Sequence, residues 1–440
     1  MDSLDTLWIM DMKHDFNHAV RHVATIDWDE STSGLCSLFE TTIRFLGGLL
    51  SAYDLSHERV LLDKAIELGE MLYAGFDTKN HMPVNSFDFR LARLGKLVVS
   101  TNEATAAAGS LSLEFTRLSQ LTGDPKYYDA IDGVKKALEK TQDSTKLPGM
   151  WPVFVDLKND FLTPGNGFSL GASADSAYEY FSKMHALLGG LDPVYEKLHT
   201  KAMTTAKKHL LFRPMLPDLS PATPPDILFS GSVFSDGIGT IDLRPEVQHL
   251  ACFAGGMFAL GGKLFDLEDH ITTGEQLARG CAWAYESCPT GIMPEVSEVM
   301  ACVKDSEKEK NHLDSCAWDE ERWKEHGKYP KPFSSVRDSS YLLRPEAIES
   351  IFILYRITGK PDLLDVAWQM FESIKKATET KFAHSAIKDV LATGETTKTD
   401  AMEVSCCVEV LLKYGANYCC RASGLPRPSN TFISSSRSRS

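Results

Sequence analysis

Six acidic residues of this chain stand where a carboxylate is expensive, beside apolar or small neighbours. Glu346 and Glu349 in Arg344-Pro345-Glu346-Ala347-Ile348-Glu349 lie three positions apart, so they share one face of a helix whose apolar stripe is Ile348, Ile351, Phe352 and Tyr355. Glu40 follows Leu38-Phe39, Glu114 sits in Leu113-Glu114-Phe115, Asp175 in Ala174-Asp175-Ser176, and Glu295 follows Met293-Pro294. Burying such a group without a partner is costly, so each must meet water or a hydrogen-bond donor. Capping explains one acid in a first helical turn, where the positive end of the helix dipole favours it. Several acids facing one interior have a chemical use instead. Glycoside hydrolysis needs one carboxylic acid to protonate the leaving oxygen and one carboxylate to activate water or attack the sugar. Further acids would hold a divalent cation, directly or through water, and bind sugar hydroxyls.

The elements that must position these acids are helical hairpins. An apolar helix, a Gly-containing stop and a Pro restart recur at Leu118 to Tyr127, at Tyr355 to Asp362 and, more loosely, at Leu187 to Tyr195. Gly past a helix end takes the left-handed conformation and Pro opens the next helix, so each phrase predicts an αα turn. Further turns are expected around Ser51 to His57 and around Gly261-Gly262. The opening residues read as a helix already under way, with Leu4, Leu7, Trp8 and Met12 at helical spacing, as if the sequence began inside a domain. Alternating strand patterns are scarce, and short ones such as Gly149 to Val155 suit small ribbons. Irregular copies with long insertions, Phe212 to Arg244 and Lys304 to Ser340, favour an all-α closed barrel whose loops build a site. One domain is expected over 1–410, followed at 411–440 by a polar, basic, low-complexity tail expected to be disordered.

At 440 residues, 43% hydrophobic, the chain supports a large core, and its formal charge of −14 repels nucleic-acid phosphates and anionic membranes. A sugar or a metal ion is the more natural ligand. No apolar run is long enough to span a bilayer, and the first residues lack the pattern of a signal peptide. Cys406-Cys407 and Cys419-Cys420 are adjacent pairs without metal-ligand spacing and read as ordinary thiols. Cys252 and Cys281 each lie in an apolar helical stretch, where a bridge and two buried thiols are equally open.

The blocks Asp2 to Met10, Phe39-Glu40-Thr41-Thr42-Ile43-Arg44, Ala174-Asp175-Ser176, Gln248-His249-Leu250 and Leu343 to Ser350 closely resemble class I α-1,2-mannosidases, glycoside hydrolase family 47. The resemblance runs from Asp2 to about Glu403. It implies an (α/α)7 barrel and an inverting, calcium-dependent hydrolysis of terminal α-1,2-linked mannose from high-mannose N-glycans, by a monomer of the secretory pathway or a secreted one. By the same resemblance Glu40 is the general acid, acting through a water, Asp175 and Glu346 position or deprotonate the attacking water, and Glu295 is another active-site acid. Arg44, Glu114, His249, Arg344 and Glu349 match substrate or calcium-shell positions, and Cys252 with Cys281 matches the family's disulfide. Ser173 stands where the endoplasmic-reticulum type has an arginine, which resembles the broader fungal or Golgi type.

Two departures bear on function. The family's Thr-Glu-Ala-His segment, whose Thr binds calcium, does not follow Asp400 to Tyr414, so no metal ligand is assigned and Glu349 and Glu403 remain candidates through water. Ala177 replaces an aromatic usual in the family. A glycan-binding protein with impaired catalysis, or an inactive truncated relative, is the alternative reading of these departures.

Overall fold

The computed structural model describes residues 1, 3–28, 34–159, 163–217, 225–302 and 317–402. The tail expected at 411–440, Glu403 and the paired cysteines beyond it lie outside the described residues.

Among the described residues, six αα hairpins follow one another around the ring of an (α/α)7 barrel. The inner helices are α1 (Leu4–Ile9), α3 (Gly47–Ser56), α5 (Ser112–Thr122), α7 (Asp175–Leu187), α9 (Ala254–Leu264) and α11 (Glu346–Thr358). Their outer partners are α2 (Lys13–Val23), α4 (Arg59–Tyr73), α6 (Lys126–Thr141), α8 (Pro193–His209), α10 (Glu268–Glu286) and α12 (Asp362–Thr378). Each inner helix packs on its outer partner and on the next inner helix of the series.

Local chemistry sets the turns. Gly123 (φ 74°) and Gly359 (φ 70°) close α5 and α11 in the left-handed conformation, each donating its N–H to the carbonyl four residues back, and Pro125 and Pro361 precede the next helices. Asp192 caps α8 by accepting the N–H of Val194, with Pro193 at the first position.

The first helix and one expected turn differ from the sequence reading. The first helix stops at Ile9, because Asp11 turns left-handed (φ 60°) and the chain restarts at Lys13, leaving Met12 exposed rather than on the stripe. Gly261 and Gly262 lie inside α9, and the turn comes at Phe265 to Leu267. These glycines serve close packing: a Cβ on Gly261 would sit 1.9 Å from Nε2 of His199.

Small antiparallel ribbons join the hairpins. One pairs Glu246–Gln248 with Val296–Val299, and the latter with Phe333–Asp338. The expected strand at Gly149 to Val155 shrinks to Phe154–Val155, paired with Glu103–Ala104. Tyr178 of α7 pins the preceding loop: its hydroxyl donates to the Trp151 carbonyl and accepts the Trp151 N–H. The disulfide Cys252–Cys281 is formed, joining the start of α9 to α10. Ala177 is fully buried, and a Cβ on Gly109 would come within 2.7 Å of its own, so an aromatic side chain has no room here.

Candidate active site

The acids gather because the barrel points the N-terminal ends of its inner helices at one cavity of about 1070 Å³. Asp175 is the first residue of α7 and Glu346 the first of α11, Glu114 lies in the first turn of α5, and Glu40 ends the short helical turn Leu38–Glu40 leading into α3. Glu40, Arg44, Asp175, Arg344, Glu346 and Glu349 all line the cavity. Aligned helix dipoles favour negative charge there.

Burial opposes that preference, and for three acids it wins. Burial raises the Asp175 carboxyl to about 6, partly countered by the Ser176 N–H it accepts at 2.8 Å, with Glu179 pushing further upward. Burial likewise lifts Glu114 to about 7, although Tyr180 donates its hydroxyl to Oε1 at 2.9 Å. Glu346 rises furthest, to about 8, through burial that the Arg344 guanidinium only partly offsets at 3.9 Å. Its side chain is 22% exposed, yet its Oε2 is buried with no hydrogen-bond partner among the described residues. The N-cap Pro345 makes no side-chain cap and Oε2 of Glu346 has no partner, so capping does not account for this oxygen.

Glu40 differs from these. Its carboxylate is 50% exposed and accepts Nε of Arg44 at 2.7 Å. The residues after it, Thr41–Leu46, form a π-helical turn, a widened geometry frequent at functional sites.

Three candidates from the sequence do not line the cavity. Glu114 lies just beneath its wall, its Oε1 3.5 Å from where a Cβ on the lining residue Gly47 would be. His249 is fully buried; burial, then the charge of Arg344, depresses it to about 3, and it meets the Tyr285 hydroxyl at 2.8 Å while stacking on Tyr341. Glu295 lies behind Arg344, which donates Nε to it. Among the described residues, none in the insertions Phe212 to Arg244 and Lys304 to Ser340 lines the cavity; the lining comes in part from shorter segments around Ala104, Ser173, Leu250 and Leu343.

Several lining residues carried no sequence signal that was used. Glu179 lines the cavity and pairs with Lys183, and its spacing of one turn from Asp175 was the available clue. Asp5, Ser51, Phe352 and Arg356 extend the cavity along α1, α3 and α11, with Ser51 donating to Asp5 at 2.8 Å. Gln248 accepts the Ala172 N–H at 2.9 Å and so fixes the loop that carries Ser173 (φ 69°).

Calcium takes six to eight oxygens. Among the described residues no three His, Cys, Asp or Glu side chains converge as a metal site would require. These residues therefore do not form a calcium cage by themselves.

The sequence profile of glycosyl hydrolase family 47 matches residues 1–415. A probable mannosyl-oligosaccharide α-1,2-mannosidase 1B of Neosartorya fischeri is 33% identical over 428 residues, covering 93% of this chain and 79% of that protein. The mannosyl-oligosaccharide α-1,2-mannosidase of Coccidioides posadasii is 33% identical over 433 residues, covering 93% and 75%. Among solved structures, α-1,2-mannosidase from Trichoderma reesei superposes with a TM-score of 0.80 at 29% identity, covering 94% of this chain and 83% of that one. Cellobiose 2-epimerase from Spirochaeta thermophila, at TM-score 0.58 and 12% identity, shares the fold alone.

Proposed function

Because the chain belongs to glycosyl hydrolase family 47, we propose that it hydrolyses terminal α-1,2-linked mannose from high-mannose N-glycans with inversion at the anomeric carbon. The observation that carries this reading is the buried, unpartnered Oε2 of Glu346 in the wall of an acid-lined cavity. That oxygen is where an attacking water finds its proton acceptor. The water oxygen bonds to C1 of the sugar as the C1–O bond to the leaving sugar breaks; Glu346 takes the water's proton, and the leaving oxygen receives one from the acid side. A raised proton affinity suits a general base. Glu40, half exposed and held by Arg44, serves as the acid through an intervening water, and Asp175 orients the attacking water.

A second assignment of roles has an observation of its own. A carboxyl at about 8 is protonated at neutral pH and has a proton to give the leaving oxygen, which exchanges Glu346 and Glu40 as acid and base. Glu346→Gln decides between them. With α-1,2-mannobiose both assignments expect loss of turnover; with α-mannosyl fluoride, whose leaving group needs no proton, activity returns only if Glu346 is the acid. Normal turnover of mannobiose by the variant overturns the reading.

The finer context rests on the family and on two features of the chain. The disulfide Cys252–Cys281 supports an oxidising secretory compartment. Ser173 in the cavity wall supports acceptance of several glycan branches. Calcium enters this reading only as the ion the family implies, with Glu349 reaching it through water, and no step is routed through it. Dialysis against a chelator is expected to abolish turnover and added calcium to restore it; turnover that survives chelation would show that this chain works without the ion. Glycan binding without hydrolysis would favour the impaired, glycan-binding alternative.

A further inference from the structure

Each polar atom of Glu295 has a protein partner. Its N–H donates to the Ser340 carbonyl at 3.1 Å and its carbonyl accepts the His249 N–H at 2.9 Å. Oε1 accepts the Leu342 N–H at 2.9 Å, and Oε2 accepts Nε of Arg344. The side chain is 6% exposed and does not line the cavity, whereas Leu342, Leu343 and Arg344 do. Between its two contacts the chain turns left-handed at Leu343 (φ 62°), a conformation that branched L residues avoid and that surrounding structure must enforce. Tyr341 closes the other side, its hydroxyl donating to the Arg344 carbonyl at 3.1 Å while its ring stacks on His249.

A proton donor must reach the leaving oxygen directly or through one water. Glu295 has Arg344 between it and the cavity. What it does reach is the cation that faces the other acids: the charge of Arg344 acts on both Asp175 and Glu346, yet its guanidinium stops 3.9 Å from Glu346. Released from Glu295, that guanidinium is free to close onto Glu346 as a direct ion pair and occupy the oxygen that must take a proton.

We propose that Glu295 is a positioning residue, not a proton donor: it tethers Arg344 by Nε and holds the Leu343 turn by the Leu342 N–H, so that the cation stabilises the cavity acids without capping Glu346. The proposal rests on the hydrolase reading above for its consequence in turnover, and on the contacts alone for its structural part.

The test compares Glu295→Gln, Arg344→Met and the double variant in the full chain, with kcat and KM measured on α-1,2-mannobiose and on α-mannosyl fluoride. The tether expects Glu295→Gln to lower kcat by a similar factor on both substrates, on the order of a hundredfold as for loss of an oriented charge, and the double variant to be no slower than Arg344→Met. Near wild-type turnover of the fluoride by Glu295→Gln would identify a proton donor and overturn the proposal, as would losses that multiply in the double variant. If the wild-type chain hydrolyses neither substrate, the hydrolase reading fails, and the tether is read from thermal unfolding of the same four proteins. Losses that fail to add support it, and additive losses overturn it.

Discussion

The outer helices and the cavity wall both bury carboxylates, and they do so to opposite effect. On the outside, Glu275 of α10 meets Arg279 at 2.9 Å and Lys360 at 2.7 Å, and these cations overcome burial and hold its carboxyl below the usual range. Asp132 of α6 behaves likewise between Lys135 and Lys136. In the cavity, burial prevails for Asp175, Glu114 and Glu346. Burial is the first cause of the rise in all three, whereas outside the cavity nearby cations overcome it. Arg44 is engaged by Glu40, Lys183 by Glu179 and Arg344 by Glu295, so these three cations are already held by other acids. Three carboxyls are left with high proton affinity, which is what proton transfer requires and what stability alone would not select.

This contrast is sharpest in turnover. Glu346→Gln is expected to cut kcat on α-1,2-mannobiose by roughly a thousandfold or more, about 4 kcal/mol of barrier, while Glu275→Gln leaves kcat within about twofold. Comparable losses in both variants would end the distinction.

Stability should move in the opposite direction. Glu346 has its folded proton affinity raised above the unfolded value, so its favourable contribution is complete below pH 4.5 and is lost as pH rises toward 8. Glu346→Gln should therefore gain on the wild type in thermal unfolding as pH rises from 5 to 7, by at most about 1.4 kcal/mol per pH unit. A variant whose advantage shrinks with pH would show that the acid is paired after all.

Buried bases extend the comparison behind the cavity. His199 and His270 pack near Phe265 and Phe258, and both Nδ1 atoms lack partners among the described residues, as does Nε2 of His199. Burial depresses His199 to about 3 and lowers His270, despite Asp269. The unfolded chain binds these protons near pH 6.5 and the folded chain binds them less readily, so stability falls below that pH, for His199 by up to about 1.4 kcal/mol per unit. Urea midpoints at pH 7 and 5 measure the loss. His199→Phe is expected to reduce it; an unchanged pH dependence would assign the loss elsewhere.

The smallest effect belongs to the outer ion pairs. Glu275→Gln should cost about 1 kcal/mol or less, because Lys360 is half exposed and solvent screens the pair. A larger loss in urea would mean that the Arg279–Glu275–Lys360 network braces the wall.

Much of the scaffold was legible from local chemistry. The stops at Gly123 and Gly359, the restarts at Pro125, Pro193 and Pro361, and the i, i+4 pairing of Glu40 with Arg44 are short-range, and chain geometry decides them. Gly261 misled because glycine marks either a turn or a close approach, and only the position of His199 distinguishes the two. The insertion loops misled because length says nothing about direction. Glu295 was conspicuous in the sequence, but its place behind Arg344 depends on a ribbon that joins Gln248 to Val296 and leads on to Ser340.

The sequence by itself determined that acids stand at helix starts, since caps, glycines and prolines act over a few residues. Only the tertiary structure decided which of those acids hold a proton. Proton affinity depends on how much water is excluded and which charges lie nearby, and in this barrel distant parts of the chain contribute to both, as when Arg344 of the α11 loop acts on Asp175 of α7.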